Sequence, residues 1–367
     1  MIDQKEERKK TSVSDLSLET KINIKRYPPS PRLQRKGLRT GMTKQINTFV
    51  EKNNLIPKGS SIVIGLSGGP DSVFLLNYLA TLKKEGSIKN LIVAHLDHEW
   101  REDSDKDEKF CREIAKKYDV PVVAQKLSDL AISLKFEGSK EELGRNARRH
   151  FLESVKKEYD ADLIALAHHA QDQQETFFIR LIRGTSLSGL TAMKPKHGCY
   201  IRPLLEINKK DIVDFLEKND ILYLIDPSNI SEDFLRNRIR KHVIPALQKC
   251  DDRFDVKFQK TLHRLQKTES FLENLTKETF ENISTENKGV FYINLKQMLN
   301  LNIVLIYRIL VYWLCKQKVK FPVSEGFLDE TIKFLKQPGS KEHQLHETWK
   351  MIKKKGVAHI QKADSYI

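Results

Sequence analysis

The chain of 367 residues contains 64 Lys+Arg against 49 Asp+Glu, which gives a formal net charge of +15. This excess favours a polyanionic partner such as nucleic acid over an acidic small molecule, with a merely solvated basic surface as the alternative. No apolar run approaches the roughly 20 residues of a membrane span, and the N-terminus lacks the apolar core of a signal peptide. We therefore expect a cytoplasmic protein with no membrane segment.

The four cysteines are far apart in sequence and include no Cys-x-x-Cys pair. Scattered cysteines of this kind are typical of inert core or surface thiols. The pattern argues against a disulfide framework and against a site built from paired cysteines.

The chain begins with a polar, basic segment, residues 1–42, that lacks apolar periodicity and is expected to be a disordered arm. Composition then predicts an α/β domain over residues 43–248 and a connector helix within residues 249–290. A small α-rich C-terminal domain over residues 291–367 is predicted to include a hairpin around Lys353-Lys354-Lys355-Gly356.

A glycine turn follows the first predicted strand. The apolar run from Ile62 to Leu66 leads into Ser67-Gly68-Gly69-Pro70-Asp71-Ser72, and an apolar-rich helix comes next. A strand, a glycine turn and a helix N-terminus together form a cradle for anions such as phosphate. The turn is neither a Walker A loop nor a Gly-x-Gly-x-x-Gly turn. An ordinary strand-to-helix turn with Ser and Asp caps is the alternative.

Strands and helices then alternate along the chain. The predicted strands cover residues 91–96, 121–124, 163–167 and 200–205, with helices over 107–118 and 141–159. This alternation predicts a doubly wound α/β domain with a mainly parallel five-stranded sheet and ligands at the carboxyl ends of its strands. The glycine turn, Asp97-His98 and His168-His169 all follow such ends.

Three polar side chains start the helix after the fourth strand. His168, Asp172 and Glu175 are spaced by four and then three residues, which predicts that they share one helical face. Two carboxylates and an imidazole above a nucleotide crevice could hold a cation, either magnesium or an ammonium group. A solvated acidic first turn, favoured by the helix dipole, is the alternative.

Arginines recur after this helix. Arg183 lies at its end, and Arg236, Arg238 and Arg240 lie close together before Pro245. Given the net charge, phosphate contact is at least as well supported as a solvated face.

These residues resemble those of a known family. The hexapeptide Ser67 to Ser72 resembles the PP-loop of the N-type ATP pyrophosphatases. Together with Ala94-His95-Leu96-Asp97-His98, Arg145-Asn146-Ala147-Arg148, the His168 to Thr176 run, Arg202-Pro203-Leu204, Asp226-Pro227-Ser228-Asn229 and Arg236 to Arg240, it resembles the shorter form of the tRNA(Ile)-lysidine synthetases. Gln171 departs from this pattern, because the family often has Asp or Asn there.

The resemblance implies a two-step reaction. ATP would adenylate the 2-carbonyl oxygen of the wobble cytidine in a CAU-anticodon tRNA(Ile), and free L-lysine would then displace AMP to give lysidine. The implied cofactors are ATP and magnesium. The implied residues fall into three groups: Ser67, Gly68, Gly69, Pro70, Asp71, Ser72, Arg145 and Arg148 for ATP or the cytidine; His168, Asp71, Asp172 and Glu175 for catalysis, with Asp71 and Asp172 on magnesium; and Arg183, Arg236, Arg238 and Arg240 for tRNA.

Several alternatives stay open at the level of sequence. Asp172 and Glu175 could both position the lysine ammonium, or magnesium could take Asp172 and leave Glu175 for the amine. A PP-loop tRNA thiolase, or another tRNA-modifying adenylating enzyme, is the competing function. The C-terminal domain is expected to bind tRNA, and a homodimer is an open alternative to a monomer.

Overall fold

The computed structural model describes residues 41–101, 103–130, 140–225, 232, 234–319, 321 and 324–363. The predicted arm, except for its last two residues, and the predicted turn Asp226-Pro227-Ser228-Asn229 lie outside this range. The chain divides between Gln259 and Lys260 into two compact units. The division into four segments that the sequence suggests stays a prediction.

The first unit is built on a six-stranded sheet in the order β3-β2-β1-β4-β6-β5. Its strands are β1 (Ser61–Gly65), β2 (Asn90–Asp97), β3 (Val122–Lys126), β4 (Leu163–Ala165), β5 (Lys196–His197) and β6 (Tyr200–Ile201). All pairs are parallel except β5 with β6. The chain moves outward from β1 to β3 and then returns to the other side of β1, so β1 and β4 flank the crevice where ligands bind in such sheets.

Both faces of this sheet are covered. Ile62 and Ile64 of β1 face one apolar core, whereas Val63 between them faces a second core that includes Phe151. Strands buried on both faces read as continuous apolar runs, which is why the sequence reveals them. The predicted doubly wound α/β fold is confirmed.

Helices connect and cover the strands. In chain order they are α1 (Gly41–Lys52), α2 (Pro70–Lys84), α3 (Asp105–Lys117), α4 (Lys140–Glu158), α5 (Ala170–Ile182), α6 (Leu187–Leu190), α7 (Lys209–Lys218), α8 (Leu235–Arg238) and α9 (Ile244–Cys250), with a π-helical stretch at Ile239–Val243. The predicted connector is a single helix of 30 residues, α10 (Phe254–Ile283), in which the division between the units falls.

The sheet has one strand more than the predicted five. The predicted fifth strand ends early, because Pro203 has no amide hydrogen with which to extend the ladder. Gly198, with a φ of +58°, lets the chain turn back so that the two residues of β5 pair with β6. Strands of two residues are too short to give a periodic signal.

The second unit combines helices with a five-stranded antiparallel sheet in the order β7-β8-β11-β10-β9. Its elements are β7 (Ser284–Asn287), β8 (Val290–Asn294), α11 (Leu295–Leu299), α12 (Ile303–Lys316), α13 (Glu325–Lys336), β9 (Lys341–His346), β10 (Trp349–Lys354) and β11 (Val357–Lys362). The predicted hairpin is the β10–β11 pair. Three further strands were not predicted. Two of them, β7 and β9, are mostly polar and exposed, whereas β8 has only five residues, of which two are buried.

Among the described residues, no helix combines the length and the apolar character needed to cross a bilayer.

Candidate active site

The glycine turn after β1 is a tight, well-packed loop. Gly68 has a φ of +79°, and a Cβ atom built on it would lie 2.6 Å from Cδ1 of Leu224. The Gly68 carbonyl accepts a hydrogen bond from the Leu224 amide at 2.9 Å. Only glycine combines this backbone conformation with this close approach.

Two serines close the loop from within. Oγ of Ser72 accepts a hydrogen bond from the Ser67 amide at 3.3 Å, lies 3.2 Å from Oγ of Ser67, and donates to the Gly69 carbonyl at 3.0 Å. Pro70 starts α2, where a missing amide hydrogen does no harm. The loop therefore presents the N-terminus of α2 at the carboxyl end of β1, which is the geometry of a phosphate cradle.

Asp71 and Asp172 meet at a buried histidine. His169 is the N-cap of α5 and is only 2% exposed. Its Nε2 lies 3.6 Å from Oδ2 of Asp71 and 3.5 Å from Oδ2 of Asp172. The His169 amide also donates to Oδ2 of Asp172 at 2.9 Å. The structure thus brings the two predicted carboxylates together, through a histidine to which sequence reasoning gave no role.

A lysine completes this cluster from a distant part of the chain. Nζ of Lys209, at the start of α7, lies 3.4 Å from Oδ2 of Asp71. The Lys209 amide donates to Oε1 of Gln171 at 2.9 Å, so the residue that departs from the family pattern holds the start of α7. The sequence analysis did not identify Lys209. The one signal that could have indicated it is its position shortly after Arg202-Pro203-Leu204, one of the motifs of the family resemblance.

Glu175 forms ion pairs with two arginines. It is fully buried, and its two oxygens accept hydrogen bonds from Nε and Nη2 of Arg240 at 2.6 and 3.0 Å. Nε of Arg236 lies 3.7 Å from the same carboxylate. Although burial opposes it, the hydrogen bond and charge of Glu175 raise the pKa of Arg240. Contact of Glu175 with the lysine ammonium that the family resemblance implies would require this ion pair to open.

His168 does not share a helical face with the two carboxylates. The helix α5 begins at Ala170, so His168 lies in the preceding loop, and the expectation from its spacing is wrong on this point. Burial, only partly offset by Asp172, lowers the pKa of His168 to about 4. The imidazole is therefore neutral at pH 7. By contrast, although burial acts to raise it, His169 and His168 hold the pKa of Asp172 below its ordinary value.

The carboxylates suit magnesium. Oδ1 of Asp71 is buried and has no hydrogen-bond partner within the described protein. Mg²⁺ in nucleotide sites is commonly held by one or two carboxylates together with phosphate oxygens and waters. Asp71 and Asp172 supply that number of carboxylates, although no group of three or more potential metal ligands occurs among the described residues.

The predicted arginines lie in different surroundings. Nη2 of Arg148 on α4 donates to Nε2 of His98 at 2.9 Å, and Arg145 is exposed on the same helix. Arg183 is the exposed C-cap of α5, and Arg238 donates to the Glu232 carbonyl at 2.8 Å. Arg236 and Arg240 contact the buried Glu175, and their contact with tRNA stays a prediction.

The state of His98 leads to a prediction about pH. Burial and the neighbouring Arg148 lower the pKa of His98 to about 4, against 6.5 in the unfolded chain. Between these values the unfolded chain binds more protons, so stability falls as the pH falls. The free energy of unfolding should fall when the pH is lowered from about 7.5 to about 5. We expect this fall to be smaller in His98→Gln than in the unmodified protein, by about 1–2 kcal/mol. Urea unfolding at both pH values measures this, and an unchanged pH dependence would contradict it.

Comparison with known proteins agrees with this geometry. The family model described as "PP-loop domain" matches residues 38–247. The chain is similar to the tRNA(Ile)-lysidine synthase of Bacillus cereus, with 33% identity over 303 residues, which is 80% of this chain and 63% of that protein. It is also similar to the Bacillus subtilis protein of the same name, with 36% identity over 264 residues, or 70% of this chain and 56% of that one.

The fold has a solved counterpart. The U34-tRNA thiolase NcsA from Methanococcus maripaludis, a structure with its [4Fe-4S] cluster, matches with a TM-score of 0.52 and 19% identity, over 61% of this chain and 78% of that one. At this identity the likeness concerns the fold alone. The chain spans 56–63% of the length of the two Bacillus relatives. Since the family model covers more than half of it, the chain belongs to the PP-loop domain family.

Proposed function

We propose that this protein is a tRNA(Ile)-lysidine synthetase, which uses ATP and free L-lysine to convert the wobble cytidine of a CAU-anticodon tRNA(Ile) into lysidine. We also propose that it acts in the cytoplasm, on tRNA before translation. The observation that carries the proposal is the cluster in which His169 and Lys209 contact Asp71 of the phosphate cradle, while His169 also contacts Asp172. The named relatives and the net charge of +15 support tRNA as the polyanionic substrate.

In the first step, the loop from Ser67 to Ser72 would bind the phosphates of ATP at the N-terminus of α2. Magnesium, held by Asp71 with or without Asp172, would neutralise charge that develops on the phosphates. Nζ of Lys209 lies beside Asp71, where it would contact the departing pyrophosphate. The 2-carbonyl oxygen of the cytidine would attack the α-phosphorus of ATP while the bond to pyrophosphate breaks. This oxygen would then be part of AMP, which is a good leaving group for the second step.

In the second step, the amine of lysine must approach the activated carbon. Free lysine is charged at pH 7, since its side-chain pKa is about 10.4, and a carboxylate favours that charged form. Because Glu175 is bound to Arg240, Asp172 would orient the ammonium and accept a proton from it before the nitrogen attacks, and magnesium would then be held by Asp71 alone. Neutral His168 adds no positive charge that would repel the incoming amine.

The alternative of tRNA thiolation has less support. Among the described residues the cysteines form no cluster, and Cys111 is fully buried with Sγ 3.8 Å from the carbonyl of Leu66, which precedes the loop. Burial raises the pKa of the Cys111 thiol, which keeps it protonated and unreactive.

The direct test is incubation of the protein with MgATP, radiolabelled lysine and CAU-anticodon tRNA(Ile). Label is expected in the tRNA, with one AMP formed per lysine incorporated. Methionine tRNA, which also has a CAU anticodon, should stay unlabelled. AMP formation without label in tRNA, or a requirement for a sulfur donor, would contradict the proposal.

Lys209 allows a matched prediction. We expect Lys209→Ala to reduce AMP formation by about 10²-fold, because a positioned charge at a developing anion is lost. Lys210→Ala is the control, since its neighbouring ammonium pairs with Asp214 on the exposed face of α7. Initial rates of pyrophosphate release measure both variants. Equal rates for the two variants would contradict the assignment of Lys209 to the active site.

A further inference from the structure

Trp100 is an exposed aromatic side chain at the carboxyl edge of the sheet of the first unit. It lies three residues after the end of β2, next to the strand that carries the phosphate loop, and it is 43% exposed. Tryptophan buries more apolar surface than most residues, so its exposure at a ligand-binding sheet edge asks for an explanation.

The ring of Trp100 is held by the fold. It stacks on the His98 imidazole with ring centroids 4.7 Å apart and planes 26° apart. Nε2 of His98 accepts a hydrogen bond from Arg148, which fixes the imidazole. On α4, a Cβ atom at Gly144 would lie only 2.6 Å from Cζ2 of Trp100, so the glycine leaves room for the indole.

The helix that contacts this aromatic pair, α4, carries arginines. The N-terminal half of α4 lies at the carboxyl edge of the sheet, because its other end leads into β4. It carries Gly144, Arg145 and Arg148. Burial, and after it the charge of Arg145, lowers the pKa of both Arg180 and Arg202. The hydrogen bonds found for Arg180 and Arg202 go to backbone carbonyls, which do not neutralise their charge.

We propose that Trp100 is a stacking platform for one nucleobase, with the arginines of α4 and its neighbours contacting the attached phosphates. Aromatic faces beside arginines are the usual means of holding unstacked bases, since every base has a π-face. The base comes either from ATP or from the anticodon loop of tRNA. This inference rests on the proposed function for the choice of nucleotide, and its test does not require lysine transfer.

The binding test uses three ligands and the full chain. MgATP carries a base and a triphosphate, magnesium tripolyphosphate carries the same kind of charge without a base, and a CAU-anticodon stem-loop RNA carries unstacked bases. We expect Trp100→Ala to weaken binding of one of the two base-carrying ligands roughly tenfold, and Trp100→Phe to weaken it less. Tripolyphosphate binding should be unchanged. Tyr159→Ala, which removes a 41% exposed aromatic just beyond the other end of α4, is the control.

Tryptophan fluorescence gives an independent readout. The chain has three tryptophans, and Trp100→Phe leaves Trp313 and Trp349 in place. Quenching that requires Trp100 and occurs with MgATP but not with tripolyphosphate assigns the platform to the ATP base, whereas quenching with the stem-loop assigns it to tRNA. Absence of Trp100-dependent quenching by both ligands, or equal weakening of tripolyphosphate binding, would overturn the inference. Failure of lysine incorporation alongside Trp100-dependent quenching would overturn the proposed function and leave the platform standing.

Discussion

AMP formation is expected to fall by at least about 10²–10³-fold in both Asp71→Ala and Asp172→Ala, because each removes a preorganised charge from the phosphate site. In Asp71→Ala, the carboxylate beside Lys209 and His169 is lost, together with the orphaned Oδ1 that suits a cation. In Asp172→Ala, the partner of the His169 amide is lost as well. Quenched-flow measurement of AMP from radiolabelled ATP tests both variants.

The two variants should differ in stability. Loss of the Asp172 cap is expected to cost about 1 kcal/mol of unfolding free energy, whereas loss of Asp71, which caps nothing, should cost less. Asp211→Asn, which changes an exposed carboxylate in the first turn of α7, is the control for a general charge effect. Near-normal AMP formation in either Asp71→Ala or Asp172→Ala would refute the assignment of the site.

Glu175→Ala is expected to lower the free energy of unfolding by about 1.5–3 kcal/mol, because the hydrogen bonds between Arg240 and a buried carboxylate are lost while the guanidinium itself stays in contact with solvent. Glu175→Gln should lose less, since the amide oxygen can still accept one hydrogen bond. Asp214→Ala is the control: it breaks an exposed ion pair on α7, which contributes at most about 0.5 kcal/mol.

Denaturant unfolding separates these variants, and lysine kinetics add a second measurement. If Glu175 serves mainly to hold Arg240, the fraction of Glu175→Gln that stays folded should keep a nearly unchanged KM for lysine. An unchanged stability combined with a strongly raised KM for lysine would instead assign the carboxylate to the amine. The second result would support the role that the family resemblance implies.

The parts of the fold that could be predicted are those whose signal is local. The strand Ser61–Gly65 is predicted by an apolar run, and the turn after it is predicted by the adjacent glycines. Gly68 has a positive φ, which a glycine in a tight turn commonly adopts. The start of α5 was misjudged, because spacing alone does not say where a helix begins. The pairing of His169 with Asp172 three residues later is a capping signal that could have placed it.

The parts that could not be predicted depend on distant pairs. Lys209 is 138 residues from Asp71, and Arg240 is 65 residues from Glu175. A periodic pattern describes one element at a time, so it cannot tell which arginine will face a carboxylate and which will face solvent. The same limit applies to Trp100. The space that its indole ring fills exists because residue 144, on the distant helix α4, is a glycine.

The helix α5 does more than carry Asp172 and Glu175. Gln173 binds the Met193 backbone through both its amide atoms at 2.8 and 2.9 Å, and Arg180 binds the carbonyls of Gly189 and Ala192. The loop after α5 is therefore hydrogen-bonded to two positions along the same helix, and it can detach only when several hydrogen bonds break together. Segments linked in this way open as one cooperative unit, with a common free energy in amide exchange.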